Sequence, residues 1–147
     1  MSQRESTCSR MFLKQIVPCN ILIRAYASFL PKSDYALITG FGNEVSLFSI
    51  LNGEELMHYA GAKINKFPIH CCLATVGNDS YVVSGSETNE VFLWSLNSGD
   101  LSEKIGFADE DGFICDVDYN EASDCLACCG PNKSCRSYVT SLAKVNK

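Results

Sequence analysis

No run of lysines and arginines occurs in this 147-residue chain, whose 12 basic residues are outnumbered by 17 acidic ones. A surface that neutralises phosphates is therefore not indicated. The net charge of −5 suits contact with basic peptides instead. A long apolar run is missing too. The stretch KQIVPCNILIRAYASFL (residues 14–30) is interrupted by Lys14, Pro18, Asn20 and Arg24. It falls short of the roughly 18 uninterrupted residues that mark a membrane span. Apolar residues do not recur at i, i+3, i+4 and i+7, so amphipathic helices are not expected. Gly40-Phe41-Gly42 is followed by neither Gly-Lys-Ser/Thr nor a helix signal, which excludes a phosphate loop. No secretory signal is visible. The nine cysteines, an odd count, therefore read as thiols in a reducing compartment. Arg4, Arg10, Lys14 and Arg24 against the single acid Glu5 loosely resemble a transit peptide. A β-strand within this stretch is the preferred reading.

What the chain has is a repeat. YALITGFGNEVSLFS (35–49), YVVSGSETNEVFLWS (81–95) and CLACCGPNKSCRSYV (125–139) share one pattern. Each is an apolar run, a small-residue kink, a polar turn and an alternating run that ends on an aromatic. The closing aromatics Phe48, Trp94 and Tyr138 stand 46 and 44 residues apart. Several short strands repeating at that period mark a β-propeller of the WD-repeat type. Such a ring closes with roughly 4–8 blades. One copy of this chain holds about three four-stranded blades, so the expected fold is all-β, a partial propeller whose ring one chain does not close. Remaining blades or a second copy would be needed.

The expected organisation is an N-terminal segment (1–20) with one outer strand at 12–17, then blades at 21–63, 64–107 and 108–147, the last incomplete. Pro31-Lys32-Ser33-Asp34 and Asn52-Gly53 are turn signals in the first blade, and Gly77-Asn78-Asp79 and Asn97-Ser98-Gly99-Asp100 in the second. Strands are expected at 21–29, 36–39, 44–50 and 55–59. Others are expected at 69–75, 81–84, 91–96 and 101–105, then at 113–119, 126–129 and 135–139. Ser84-Gly85 is small enough for a neighbouring sheet to approach closely.

Some residues invite chemistry. Cys125-Leu126-Ala127-Cys128-Cys129, with Cys115 and Cys135, contains the C-x-x-C spacing of a metal site. No second C-x-x-C exists, and the cysteines replace Ser84, Gly85 and Val91 of the previous repeat, so small residues in a strand explain them better. Neither a metal nor a cofactor is expected. In His70-Cys71-Cys72, adjacent strand residues point to opposite faces, so His70 is poorly placed to activate Cys71 and no catalytic residue is assigned. His58 stands alone in an outer strand and is expected to be solvated. Asp109-Glu110-Asp111 reads as a solvated loop.

VVSGSETNEVFLWSLNSG (82–99) resembles a WD repeat. More narrowly, residues 25–138 resemble the last three blades of the WD-repeat subunit of COMPASS/MLL-type histone-lysine methyltransferase complexes. The likeness rests on FLPKSDYALITG (29–40), NGEELMHYAGAK (52–63) and VVSGSETNEVFLW. The chain has Gly61-Ala62 and Gly106-Phe107 where such blades carry Gly-His. It has Phe48-Ser49, Trp94-Ser95 and Tyr138-Val139 where they carry Trp-Asp. The resemblance therefore implies blades whose buried His–Ser/Thr–Trp hydrogen-bond network is incomplete.

The resemblance implies two binding surfaces. At the channel top, where aromatic rings hold an arginine of a histone tail or methyltransferase peptide, it places Tyr26, Pro68 and His70. In a cleft between adjacent blades that takes a partner peptide it places Lys32, Tyr35, Leu47, Leu73, Thr75 and Asn97. Ordinary inter-blade packing is the competing reading of Leu47 and Leu73. The function expected is thus a non-catalytic scaffold for protein–protein interaction in a chromatin-modifying complex. Its location would be the nucleus, with the cytoplasm as the alternative, and neither nucleic acid nor membrane would be bound directly. The rival readings are a WD adaptor of a ubiquitin-ligase or RNA-processing assembly, and a zinc or thiol site on the cysteine cluster.

Overall fold

The computed structural model describes residues 26–107, 112–131 and 137–140. The expected strand at 12–17, the run 109–111 and Cys135 lie outside the described residues. The described strands are β1 (Tyr26–Phe29), β2 (Tyr35–Gly40), β3 (Glu44–Ser49), β4 (Glu55–His58), β5 (Cys71–Val76), β6 (Asp79–Ser84), β7 (Glu90–Ser95), β8 (Leu101–Gly106), β9 (Asp116–Asn120), β10 (Cys125–Cys129) and β11 (Ser137–Thr140). Among the described residues there is no helix, as the missing 3.6-residue periodicity predicts. The strands form three antiparallel sheets, β1-β2-β3-β4, β5-β6-β7-β8 and β9-β10-β11. The ring is not closed.

The turns obey their local chemistry. Asn43 and Asn89 both adopt positive φ, 64° and 59°, between the second and third strands of their sheets. Asparagine tolerates this left-handed conformation better than most residues. Each asparagine then ties its turn to the loop after its own sheet. The Ile64 amide donates to Asn43 Oδ1 (2.8 Å), and Asn89 Nδ2 donates to the Phe107 carbonyl (3.2 Å). The repeat extends to irregularities: the β3–β4 register shifts at Leu47/Phe48 and the β7–β8 register at Leu93/Trp94.

Period-two alternation explains how the middle sheet is buried on both faces. Val82, Phe92 and Trp94 join a core shared with the first sheet, which includes Leu37, Val45, Leu47, Ile64 and Ile69. Val83, Val91 and Leu93 join a second core with Ile114, Val117, Leu126 and Cys128 of the third sheet. Val-Phe-Leu-Trp is therefore a continuous apolar run because both of its faces are inside. Each such buried side chain contributes about 1.5–3 kcal/mol.

Small residues set the approach of the third sheet. A Cβ at Gly85 would fall 2.2 Å from the Ile114 carbonyl oxygen, so the Ser84-Gly85 kink is a contact no larger residue can make without a backbone shift. Hydrogen bonds close the same joint: the Ile114 amide donates to the Ser86 carbonyl (3.0 Å), and the His70 amide to the Cys115 carbonyl (2.9 Å).

Candidate functional site

His70 immediately precedes β5 and Cys115-Asp116 stands at the start of β9, so two successive inner strands present these side chains at one end of the sheets. Tyr26 opens β1 at the same end. The sheet order places it beside His70, with ring centroids 4.0 Å apart and planes tilted by 43°. Phe67 and Phe113, from the loops that enter β5 and β9, stack 4.0 Å apart at 14°. The two ring pairs, with Pro68, Cys115 and Asp116, surround an open pocket of about 320 Å³. Asp116 Oδ1 lies 3.6 Å from His70 Nδ1 and is the pocket's carboxylate. Tyr26, Pro68 and His70 thus come together in one place. The Tyr26 and His70 rings are already in contact, so a guanidinium has no room between them. A cationic group has room between the two ring pairs, facing Asp116, where ring faces and a carboxylate both favour positive charge.

The loop that carries Phe67 and Pro68 is held by one acid. Glu87 Oε1 accepts the backbone N–H groups of Asn65 (2.8 Å), Lys66 (2.5 Å) and Phe67 (3.0 Å). Desolvation pushes the Glu87 carboxyl upward. The three amides and the nearby Lys63 charge outweigh it and hold the group below its ordinary 4.5. Sequence reasoning missed Glu87, Phe67, Phe113 and Asp116. The signals available were a glutamate in a Ser-Glu-Thr turn and phenylalanines just ahead of two inner strands.

The six residues assigned to the inter-blade cleft are less alike in setting. Lys32, in the β1–β2 turn with φ 54°, and Tyr35 at the start of β2 are exposed. Leu47 is buried, and Leu73 packs against the same core, so both act in the joint between the first two sheets. Thr75 Oγ1 meets Ser80 Oγ at 3.5 Å, and Asn97 lines a polar depression beside the β7–β8 turn. The six thus differ in setting, from exposed turn residues to buried residues of the joint between the first two sheets.

The cysteines divide by strand alternation. Cys128 is buried in the second core, Cys129 is exposed on the opposite face, and Cys115 and Cys125 are half-buried. Cys115 Sγ contacts the Cys129 carbonyl and Cys125 Sγ the Ser123 carbonyl. Burial pushes the Cys71 thiol up to about 12, the opposite of what a nucleophile beside His70 would need. His58 is exposed, as expected. It is not alone: its Nδ1 lies 3.2 Å from Ser46 Oγ, 3.6 Å from Glu44 Oε2 and 3.8 Å from Glu55 Oε1. Cross-strand pairing of β3 with β4, which a single strand does not reveal, supplies those neighbours.

No family model matches the chain. WD repeat domain-containing protein 83 of Rattus norvegicus is 32% identical over 90 residues, which are 61% of this chain and 27% of that protein. The protein of the same name from Homo sapiens is 30% identical over 90 residues, again 61% and 27%. The matched stretch thus spans about a quarter of these relatives' length. Among solved structures, the WD40 β-propeller domain of Doa1 superposes with a TM-score of 0.63 at 19% identity, over 86% of this chain and 39% of that one. The sheets, the repeated turns and bulges, and these likenesses agree: the chain has the fold of an open β-propeller segment and is similar in sequence to WD-repeat proteins.

Proposed function

We propose that the chain is a non-catalytic interaction module that receives a basic side chain of a partner peptide in the pocket between Tyr26–His70 and Phe67–Phe113. The convergence of four aromatic rings on the Asp116 carboxylate carries this reading. The acidic balance of the chain would draw such a peptide toward it. WD-repeat relatives and a propeller fold support protein partners in general. Within that class, the COMPASS-like segments 29–40, 52–63 and 82–94 favour a histone tail or a methyltransferase subunit as the source of the peptide, and with it a nuclear location. Lys32 and Tyr35 are the exposed members of the cleft that would contact a second peptide.

Isothermal titration with an arginine-containing histone-tail peptide tests the pocket. Asp116→Asn and Tyr26→Ala should each weaken binding by about tenfold, the size of one lost charged or stacking contact of about 1.4 kcal/mol. A peptide with alanine in place of arginine should bind the wild-type protein no better than the arginine peptide binds these variants. Saturable binding that both variants leave unchanged would remove the pocket from the account.

A second reading has its own support: the rat, human and mouse relatives carry the name WD repeat domain-containing protein 83, which does not mention methyltransferases. The chain would then serve an unrelated assembly through the same fold. Affinity purification from cells separates the two. Methyltransferase subunits should co-purify on the first reading and be absent on the second.

A further inference from the structure

Comparison of the first two blades with each other reveals a position where the repeat has changed its chemistry. In the second blade, Glu90 opens β7 and pairs with Lys104 of β8, 3.7 Å apart, and Leu101 begins β8. The corresponding residues of the first blade are Glu44, His58 and Glu55: Lys104 and His58 are cross-strand partners of Phe92 and Ser46, and Leu101 and Glu55 of Trp94 and Phe48. A lysine has been replaced by an imidazole and a leucine by a second carboxylate. The glutamate–lysine pair, whose charges cancel, becomes two carboxylates around one ring nitrogen. Among the described residues no lysine or arginine lies within 4.0 Å of Glu44 or Glu55.

The backbone aims these groups at one point. Regular pairing would set Leu56 opposite Phe48. The register shift opposite Leu47/Phe48 makes Leu56 the extra residue and turns Glu55 to the face that carries Ser46 and His58. Glu44 precedes Ser46 by two and shares its face. Ser46 Oγ donates to Glu55 Oε1 (2.7 Å) and lies 3.2 Å from His58 Nδ1, which fixes both groups.

We propose that Glu44, Glu55 and His58 form a surface site for a zinc-class divalent cation that joins β3 to β4. Ligands about 2.0–2.2 Å from a tetrahedral ion stand roughly 3.3–3.6 Å from one another. His58 Nδ1 is 3.6 Å from Glu44 Oε2 and 3.8 Å from Glu55 Oε1, and the three ligand atoms all lie within 4.8 Å. Small side-chain movements complete the geometry. One imidazole nitrogen with two carboxylates suits Zn²⁺, Co²⁺ or Ni²⁺ better than Ca²⁺ or Mg²⁺, which favour oxygen alone. The ligands are about half exposed, which leaves a coordination position open to water. Ser46 Oγ holds His58 and Glu55 side by side through the ligand atoms themselves, Nδ1 and Oε1, so a bound ion would take the place of the Ser46–His58 contact.

The nine cysteines could also take up zinc, so the test must report which residues bind. The full chain carries two histidines, and imidazole NMR of the reduced protein resolves them with His58→Gln as the assignment control. Zn²⁺ should shift the His58 resonances saturably and leave His70 in place, and Co²⁺ should broaden the same signals. Glu44→Gln and Glu55→Gln should each weaken this site by at least about tenfold with the circular dichroism spectrum unchanged. Zinc binding without movement of the His58 signals would assign the metal to thiols and overturn the proposal. Equal affinity in both glutamine variants and the wild type would overturn it as well.

Discussion

The indole Nε1 of Trp94 donates to the Ala60 carbonyl at 2.8 Å, across the joint between the first two sheets. This contact answers the missing histidine. With Ala62 in place of the Gly-His signal, the buried indole finds its acceptor in the backbone of the incoming loop. Gly61 makes the approach possible: its φ is 123°, and a Cβ there would press within 3.1 Å of Phe92. Tyr59 closes the same joint by donating from its hydroxyl to the Leu96 carbonyl (2.9 Å), with its ring 5.8 Å from that of Trp94.

Trp94→Phe leaves the Ala60 carbonyl without its donor and opens a void in the first core. Unfolding stability should fall by about 2–4 kcal/mol. Urea titration monitored by circular dichroism is the suitable measurement, because the substitution removes the chain's one tryptophan. A loss below about 0.5 kcal/mol, the lower bound for one hydrogen bond, would show that this contact does not hold the blades together.

Glu87 gives the fold a defined response to acid. Its carboxyl is held below 4.5 when folded, so the protein binds fewer protons at this group than the unfolded chain does. Its contribution is fully present above about pH 4.5, the ordinary carboxylate value, and is lost as pH falls through the lower folded value. Glu87→Gln should cost about 1–2 kcal/mol at pH 7, at the low end for charge-assisted bonds because the group is partly solvated. The gap between wild type and variant should narrow on acidification. A gap that stays constant from neutral pH down to about pH 3 would contradict the assignment.

The thiols should sort by depth. Burial, and for Cys72 also the nearby Cys71, Asp118 and Asp116, pushes both Cys71 and Cys72 up to about 12. Mass-spectrometric mapping after brief alkylation at about pH 8 should find Cys129, which is exposed, labelled before the buried thiols. Cys71 should stay unlabelled until denaturant is added. Early labelling of Cys71 would mean that the joint around β5 opens in the native state.

Much of the fold is legible in local chemistry. Asn-Gly and Asn-Glu turns, apolar alternation and the 46-residue offset of Phe48 and Trp94 place β2 to β4 and β6 to β8 to within two residues at each end. β9 is less legible: the strand expected from Phe113 begins at Asp116, because residues 113–115 serve the inter-sheet joint instead. Of the sites, the resemblance marks Tyr26, Pro68 and His70, which share a pocket. It does not mark Asp116, because its role depends on the third inner strand lying beside the second.

Amino-acid order was enough to dictate that this chain repeats in short alternating strands and that it turns where asparagine and glycine permit positive φ. These properties come from steric preference and from alternation along single strands. Which groups meet was settled by packing. Tyr26 reaches His70, Glu87 reaches the amides of residues 65–67, and His58 reaches Glu44 and Glu55. Each meeting depends on sheet order, a bulge or a joint between blades, and those are properties of packed strands rather than of any one of them.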